Sequence, residues 1–258
     1  MKTTLKLVLG VFISGSVYYL IAGTSFPLTS PAKLKSDTIL VKTKWKQMGG
    51  FEKYTPDHLR LGCWSTALAQ IVYFHKLKPF GTVSYTSRNG YNIHESIDSS
   101  KIHFESIVNQ IDSTTEKEAL NATARYNYYA ALAVQKDFGT DRYMNKLAYS
   151  ALLEQHYQVK VNRYISWRRV LPNHIDKLEK IIREELDEVR PVFLHFSDLK
   201  GFGHSVVIDG YKTENKTLVV HINQGQGGPQ DGWYAFNKSI LRPGDDALRV
   251  IYTIKPNN

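Results

Sequence analysis

The chain has almost no cysteine: Cys63 is the single thiol among its 258 residues. With one thiol, no disulfide can form within the chain, so the fold depends on its apolar core. Hydrophobic residues make up 42% of the sequence, which is enough for a globular core and argues against intrinsic disorder. A lone cysteine has two interpretations, a small buried hydrophobe or a nucleophile. Its surroundings must decide between them.

The sequence also lacks the pattern of a nucleic-acid groove. No cluster of Lys and Arg is interleaved with aromatic residues, and nucleic acid is therefore not an expected partner. The excess of 33 basic over 24 acidic residues leaves a net charge of +9. Such a surface favours anionic partners such as acidic proteins, wall polymers or lipid headgroups. A solvated basic face is the simpler interpretation and identifies none of them.

Long apolar runs are absent except at the N terminus, where Lys2 and Lys6 precede an uncharged stretch at 7–23. This pattern is typical of an export signal, so we predict that 1–23 is a signal peptide or membrane anchor and that the rest is secreted or extracytoplasmic. Polar residues and a glycine at 14–16 dilute the run. They favour a cleaved signal over membrane attachment through residues 5–23. No cysteine follows the run, which excludes the usual lipid attachment there.

The remainder divides into an arm and one domain. Residues 24–44 mix Ser, Pro, Thr and Lys without periodicity, which predicts a linker or extended arm before a domain at 45–258. Apolar spacings of three and four predict helices at 63–76, 116–138, 145–156 and 175–188. A period of two predicts antiparallel strands at 191–196, 204–211, 218–222, 233–236 and 248–254. Helices followed by strands favour an α+β fold over a doubly wound one.

Cys63 is placed where a thiol can act as a nucleophile. The predicted helix begins at this residue, and the N-terminus of a helix supplies free N–H groups and partial positive charge that stabilise a thiolate. Gly62 lets a substrate carbonyl approach the backbone, and the Cys63 N–H can donate to an oxyanion. Gln47 lies on a loop upstream and carries a neutral amide that could serve as the second donor.

A general base must come from elsewhere in the fold, and nine histidines compete for this role. His204 is the leading candidate because it follows Gly203 and opens a predicted strand. Asn223 precedes a glycine-rich loop, and its side chain could accept a hydrogen bond from the imidazole and orient it. On these residues alone, the set of Cys63, His204 and Asn223 is suggestive only.

The same residues lie in segments that resemble the streptopain family of cysteine peptidases. The chain reads W-K-Q at 45–47, G-C-W-S-T-A-L-A-Q-I at 62–71, Y-F-H at 73–75, R-P-V at 190–192, G-H-S-V-V-I-D-G-Y at 203–211 and H-I-N-Q-G-Q-G-G-P-Q-D-G at 221–232. The family patterns are W-x-Q, G-C-V-A-T-A-x-A-Q-I-M, Y-H, Q-P-V, G-H-A-x-V-I-D-G-Y and H-V-N-W-G-W-G-G-x-x-D-G. The resemblance runs in order from about residue 45 to residue 254 and is weak in the middle.

This resemblance implies a papain-like fold with a helical N-terminal lobe and an antiparallel β-sheet C-terminal lobe. It implies that Cys63 and His204 face each other across a cleft, that Asn223 orients the imidazole and that Gln47 completes the oxyanion hole. Family members are exported bacterial endopeptidases, often linked to virulence, that cleave protein or peptide substrates without metal or organic cofactor. We expect a monomer.

Three departures from the family pattern leave alternatives open. Gln224 and Gln226 stand where the family has tryptophans that would shield the imidazole from water. Gly50 and Glu52 replace Pro and Asn near Gln47, and about 20 residues stand between the predicted signal and the domain where the family has a long propeptide. A papain-like binding protein without activity, acting as decoy, inhibitor or adhesin, and an amidohydrolase of cell-wall peptides are therefore the alternative functions.

Overall fold

The computed structural model describes residues 33–139, 150–168 and 174–257. The chain divides into two units, Met1–Ala32 and Lys33–Asn258, and all described residues belong to the second. The predicted export signal at 1–23 and the first part of the predicted arm lie outside the described residues. Within the described ranges, no helix combines the length and the apolar character needed to cross a bilayer.

Four α-helices and eight strands make up the described part of the fold. The helices are α1 (Cys63–Phe74), α2 (Lys117–Ala133), α3 (Ser150–His156) and α4 (His174–Asp187). The strands are β1 (Gly81–Thr86), β2 (Asn92–Ile97), β3 (Val159–Trp167), β4 (Val192–Ser197), β5 (Gly203–Glu214), β6 (Thr217–Asn223), β7 (Gly232–Ala235) and β8 (Leu248–Pro256). Short 3-10 helices occupy Pro56–His58, Ser99–Lys101 and Phe104–Ser106.

The strands form two antiparallel sheets. β1 and β2 are a separate hairpin, and the other six strands have the order β3-β8-β4-β5-β6-β7. β4 and β5 therefore occupy the middle of the larger sheet. The segregation of helices and antiparallel strands is the predicted α+β arrangement.

Both faces of the larger sheet are covered. α1 contributes Leu68 to the core on one face, and α4 contributes Leu178 to the core on the other. Successive residues of β4 point to opposite faces, so Phe193 joins the first core and Leu194 the second. All six residues of β4 are buried. Burial on both faces explains why four of its six residues are large and apolar, with only His195 and Ser197 polar.

Local backbone geometry sets the two ends of α1. Gly62 precedes the helix with φ +85° and ψ 152°, a conformation that is essentially restricted to glycine. The helix ends at Phe74, and Lys76 has φ +53°, so the chain turns away there. The predicted helix therefore begins at the observed residue and extends two residues too far.

Where the structure describes them, the other predicted helices and strands agree with it to within a few residues, with one exception. α2 ends at Ala133, five residues before the predicted end, because Gln135 adopts φ +49°. For α3, the predicted residues 145–149 lie outside the described residues. The β1–β2 hairpin and β3 were not predicted, because exposed polar residues interrupt their apolar alternation.

The described part of the predicted arm packs against the domain. The Leu40 N–H donates to the Asp209 backbone carbonyl (2.8 Å), and the Val41 N–H donates to the Asp209 carboxylate (3.3 Å). The Thr43 hydroxyl donates to the Gln70 side chain at 2.7 Å. From Leu40 onward this segment is therefore part of the fold and not a free linker.

Candidate active site

Cys63 is the first residue of α1 and only 6% of its surface is exposed. The first N–H groups of a helix have no intrahelical acceptor, and they carry the positive end of the helix dipole. The thiol therefore lies where negative charge is stabilised, close behind the glycine turn at Gly62.

The imidazole of His204 contacts this thiol. His204 is the second residue of β5, and α1 crosses the sheet against β5 and β4. Burial raises the pKa of the Cys63 thiol. The hydrogen bond and the charge of His204 lower this pKa, as does hydrogen bonding by the Ser205 backbone and side chain, and together they outweigh the effect of burial. The net result is a pKa below the ordinary value of a thiol. The structure thus brings the two predicted residues together as a Cys–His pair.

The second ring nitrogen of His204 bonds to a main-chain group. Its Nε2 lies 3.0 Å from the backbone carbonyl oxygen of Gln224. A carbonyl oxygen only accepts, so Nε2 carries a proton and donates. The neutral imidazole then has Nδ1 free to take the proton of the thiol, and the carbonyl fixes both tautomer and ring orientation.

Asn223 does not make the predicted contact with the imidazole. Its Nδ2 donates to the Thr43 carbonyl (2.7 Å), while its Oδ1 accepts from Gln70 Nε2 (3.1 Å) and from the Gly225 N–H (3.0 Å). The bond to the N–H two residues on is an Asx turn, which holds the amide against its own backbone. Asn223 therefore fixes the start of the glycine-rich loop, and the next residue presents its carbonyl to His204.

Gln70 is a buried polar residue whose role is not evident from the sequence. Its side chain is completely buried on α1, where its Oε1 accepts from Thr43 and its Nε2 donates to Asn223. It thereby links the helix that carries the nucleophile to the loop behind the imidazole. The available signal was a glutamine among apolar neighbours, Leu68, Ala69 and Ile71.

Gln47 lies beside the loop that leads to the nucleophile. Its backbone carbonyl accepts from the Leu61 N–H at 3.2 Å, and the residue is 8% exposed. The carbonyl of Trp45 accepts from the Gly227 N–H at 3.2 Å. The segment at 45–47 is thus fixed between the loop before Cys63 and the glycine-rich loop. Its placement is compatible with the predicted donation to an oxyanion, which stays a prediction.

His221 and Asp209 form a second buried pair, which includes neither Cys63 nor His204. His221 Nδ1 lies 2.6 Å from the Asp209 carboxylate, and the Trp233 ring packs edge-on against the imidazole at 5.2 Å. Burial raises the pKa of Asp209, while the bond to His221 opposes this shift. Because Asp209 also holds Leu40 and Val41, this pair anchors the arm. Within the described ranges, no cluster of three or more His, Cys, Asp or Glu side chains could hold a metal ion.

The chain is similar to known cysteine proteases in sequence and fold. Streptopain from Streptococcus pyogenes is 26% identical over 212 residues, which cover 77% of this chain and 52% of the relative. The chain thus spans about half the length of the curated relatives it matches.

Two solved structures share the fold. Active wild-type interpain A cysteine protease of Prevotella intermedia matches with a TM-score of 0.65 at 22% identity, covering 83% of this chain and 93% of that one. A fragment of prointerpain A from the same organism also gives 0.65, at 18% identity, covering 96% and 82%. These matches confirm the predicted papain-like α+β fold. The family model described as the Peptidase C10 family matches residues 45–234, and the chain therefore belongs to this family, the streptopain family of cysteine peptidases.

Proposed function

We propose that the protein is an exported cysteine endopeptidase that hydrolyses peptide bonds in protein or peptide substrates through Cys63. One observation carries this proposal: a buried thiol at the start of a helix contacts the imidazole of His204, and its pKa lies below the ordinary value. A thiol held in this way ionises more readily than an ordinary thiol, and its thiolate can attack a carbonyl.

Acylation begins after the Cys63 thiol has passed its proton to Nδ1 of His204, which leaves a thiolate beside an imidazolium. The Cys63 thiolate attacks the carbonyl carbon of the scissile bond, and the tetrahedral oxyanion accepts hydrogen bonds from the Cys63 N–H and the Gln47 side chain. His204 then gives its Nδ1 proton to the leaving amine as the C–N bond breaks, and a thioester remains. The Gln224 carbonyl holds the Nε2 proton throughout, so each proton transfer passes through Nδ1.

Deacylation repeats these roles with water. His204 takes a proton from a water molecule, the resulting hydroxide attacks the thioester, and the C–S bond breaks to release the carboxylic acid product. The proton stays on His204 and the thiolate of Cys63 is restored. No electron transfer occurs and no further group is consumed.

Labelling with an epoxide thiol inhibitor tests the proposal, because the chain has one thiol to modify. We expect the wild-type protein to be labelled at Cys63 and to cleave casein. Cys63→Ala should do neither, and His204→Ala should react at least about 100-fold more slowly. Casein cleavage by folded Cys63→Ala would refute the mechanism. Absence of labelling in folded wild-type protein would instead favour the inactive binding protein, and cleavage restricted to purified wall fragments would favour the amidohydrolase.

We also propose that residues 1–23 direct export. Lys2, Lys6 and the apolar run at 7–23 support this assignment. N-terminal sequencing of the protein recovered from the culture medium should give a new N terminus near residues 23–25. Recovery of the intact N terminus in the membrane fraction would show an uncleaved anchor instead.

A further inference from the structure

A second group on β5 contacts the nucleophile beside His204. Hydrogen bonding by the Ser205 backbone and side chain helps to lower the pKa of the Cys63 thiol, and Ser205 is 1% exposed. The streptopain pattern has alanine at this position, so the hydroxyl is a departure from that pattern. Neither acylation nor deacylation requires this hydroxyl as a proton donor or acceptor.

Ser205 has a buried partner on the neighbouring strand. His195 of β4 is directly opposite Ser205 in the β4–β5 register, and its Nδ1 lies 2.9 Å from the Ser205 Oγ. Residues directly opposite each other in a sheet share a face, and here that face is covered by α1, whose Trp64 ring stacks near the His195 ring at 6.4 Å. The site is close-packed, since a Cβ at Gly203 would lie 3.0 Å from the His195 ring.

Its surroundings keep His195 neutral. Burial lowers its pKa to about 4, and the charge of His204 adds to this effect. The titratable groups around the pair are Cys63 on α1, His204 on β5 and Tyr252, which packs against Trp64 from β8. A neutral imidazole has one N–H, and Nδ1 can use it to donate to the Ser205 Oγ. The hydroxyl proton is then available to the sulfur.

We propose that Ser205 and His195 are positioning residues for the nucleophile. His195 Nδ1–H donates to Ser205 Oγ, and Ser205 O–H donates to the thiolate of Cys63. The chain of two hydrogen bonds adds to the imidazole contact and holds the sulfur in one orientation at the start of α1. It stabilises the ionised sulfur and leaves the neutral thiol less favoured, because a hydrogen bond to a charged acceptor is stronger than one to a neutral acceptor.

The pH dependence of Cys63 alkylation by iodoacetamide tests this inference in the full chain. Removing a donor to the thiolate raises the pKa of the thiol, so Ser205→Ala should move the acid limb of the profile upward by about one pH unit. On that limb alkylation should be about tenfold slower, whereas above pH 9 the rates should agree within about twofold. Ser65→Ala is the matched control, since it removes another buried hydroxyl, two residues from Cys63 on α1, and should leave the profile in place.

Two variants of His195 separate hydrogen bonding from packing. His195→Phe keeps a ring beside Trp64 but cannot donate a hydrogen bond. It should shift the acid limb of the alkylation profile to higher pH by about half a pH unit. His195→Asn places an amide N–H near the position of Nδ1 and should restore the wild-type profile. If Ser205→Ala fails to fold, these two variants still test whether hydrogen bonding from His195 through Ser205 stabilises the thiolate.

The inference deepens the proposed function, yet its readout is independent of peptide cleavage. If Ser205→Ala and His195→Phe both follow the wild-type profile, the inference is overturned even where casein is cleaved. If the profiles shift as expected while wild-type protein cleaves no peptide, the hydrogen-bond chain stands and the proposed peptidase activity fails.

Discussion

His204 is oriented by Gln224 through the backbone, with Nε2 of the imidazole 3.0 Å from the Gln224 carbonyl oxygen. No substitution of the Gln224 side chain removes this acceptor. The orientation of the base depends instead on the path of the chain from Asn223 to Gly225, which the Asx turn and the Gln70 amide hold in place.

We predict that the Gln224 side chain is not needed for peptide cleavage and that it lowers the stability of the fold. It is completely buried, and within the described part of the chain neither of its amide atoms has a hydrogen-bond partner. Gln224→Met removes this uncompensated polar group and should raise the free energy of unfolding by about 1–2 kcal/mol in urea titrations. Casein cleavage should stay within about threefold of wild type, because the carbonyl remains.

Gln226 provides the matched control for this prediction, since it lies on the same loop with an exposed side chain. Gln226→Met should change stability by less than about 0.5 kcal/mol. Equal stability of the two variants would contradict the prediction.

Asn223→Ala is expected to act on stability first. The substitution leaves the Thr43 carbonyl, the Gln70 amide and the Gly225 N–H without their partner, at a cost of about 2–4 kcal/mol in the free energy of unfolding. A double-mutant cycle with Gln70→Ala should give a coupling energy of about 0.5–3 kcal/mol. Additive effects would show that the two amides do not act together, and exposed Gln230→Ala serves as the control.

The positions of the nucleophile and of the base were predictable because their signals are local. Cys63 begins a segment with helical spacing, and His204 begins one with strand spacing, and the structure keeps both starts to within one residue. Their contact followed from the family pattern, since spacing along the chain carries no information about two elements 141 residues apart.

The acceptor for the imidazole could not be predicted in the same way. Any residue type can supply a backbone carbonyl, so the sequence does not identify this acceptor. It indicated the side chain of Asn223 instead, which is held by its own Asx turn. Buried links such as Gln70 to Asn223 depend on tertiary packing for the same reason. The hairpin of β1 and β2 was missed because its side chains are mostly exposed and polar.

Acid should destabilise the protein through buried histidines. Burial, with the charge of His204, lowers the pKa of His195 to about 4, and burial, with the charge of Arg190, lowers that of His75 to about 4. Between pH 6.5 and 4 the unfolded imidazole binds a proton that the folded one does not, so the free energy of unfolding falls as the pH falls. His195 alone accounts for a loss of up to about 3 kcal/mol over this range.

Urea titrations from pH 7 to pH 4 measure this dependence. His195→Phe should show a shallower decrease than wild type, because one of the two histidines no longer takes up a proton on unfolding. His94→Gln should keep the wild-type slope, since the His94 side chain is exposed on β2. A slope in His195→Phe equal to that of wild type would show that the buried imidazole does not contribute.

The backbone at Gly62 should matter more for activity than for stability. Gly62 and Gly90 have nearly the same φ, +85° and +86°, and alanine at either position is strained by about 1–3 kcal/mol. At Gly62 the new Cβ would lie 2.9 Å from the Lys136 Cε, the end of a flexible side chain that can move. At Gly90 no atom lies within 4 Å of the Cβ. The two variants should therefore lose similar stability in urea titrations.

Only Gly62→Ala should reduce the rate of epoxide labelling, by about 100-fold, because relief of its strain shifts the adjacent Cys63 relative to His204. Gly90→Ala lies in the turn between β1 and β2 and should be labelled at the wild-type rate. Labelling of folded Gly62→Ala at the rate of Gly90→Ala would mean that the turn before α1 does not determine where the sulfur lies.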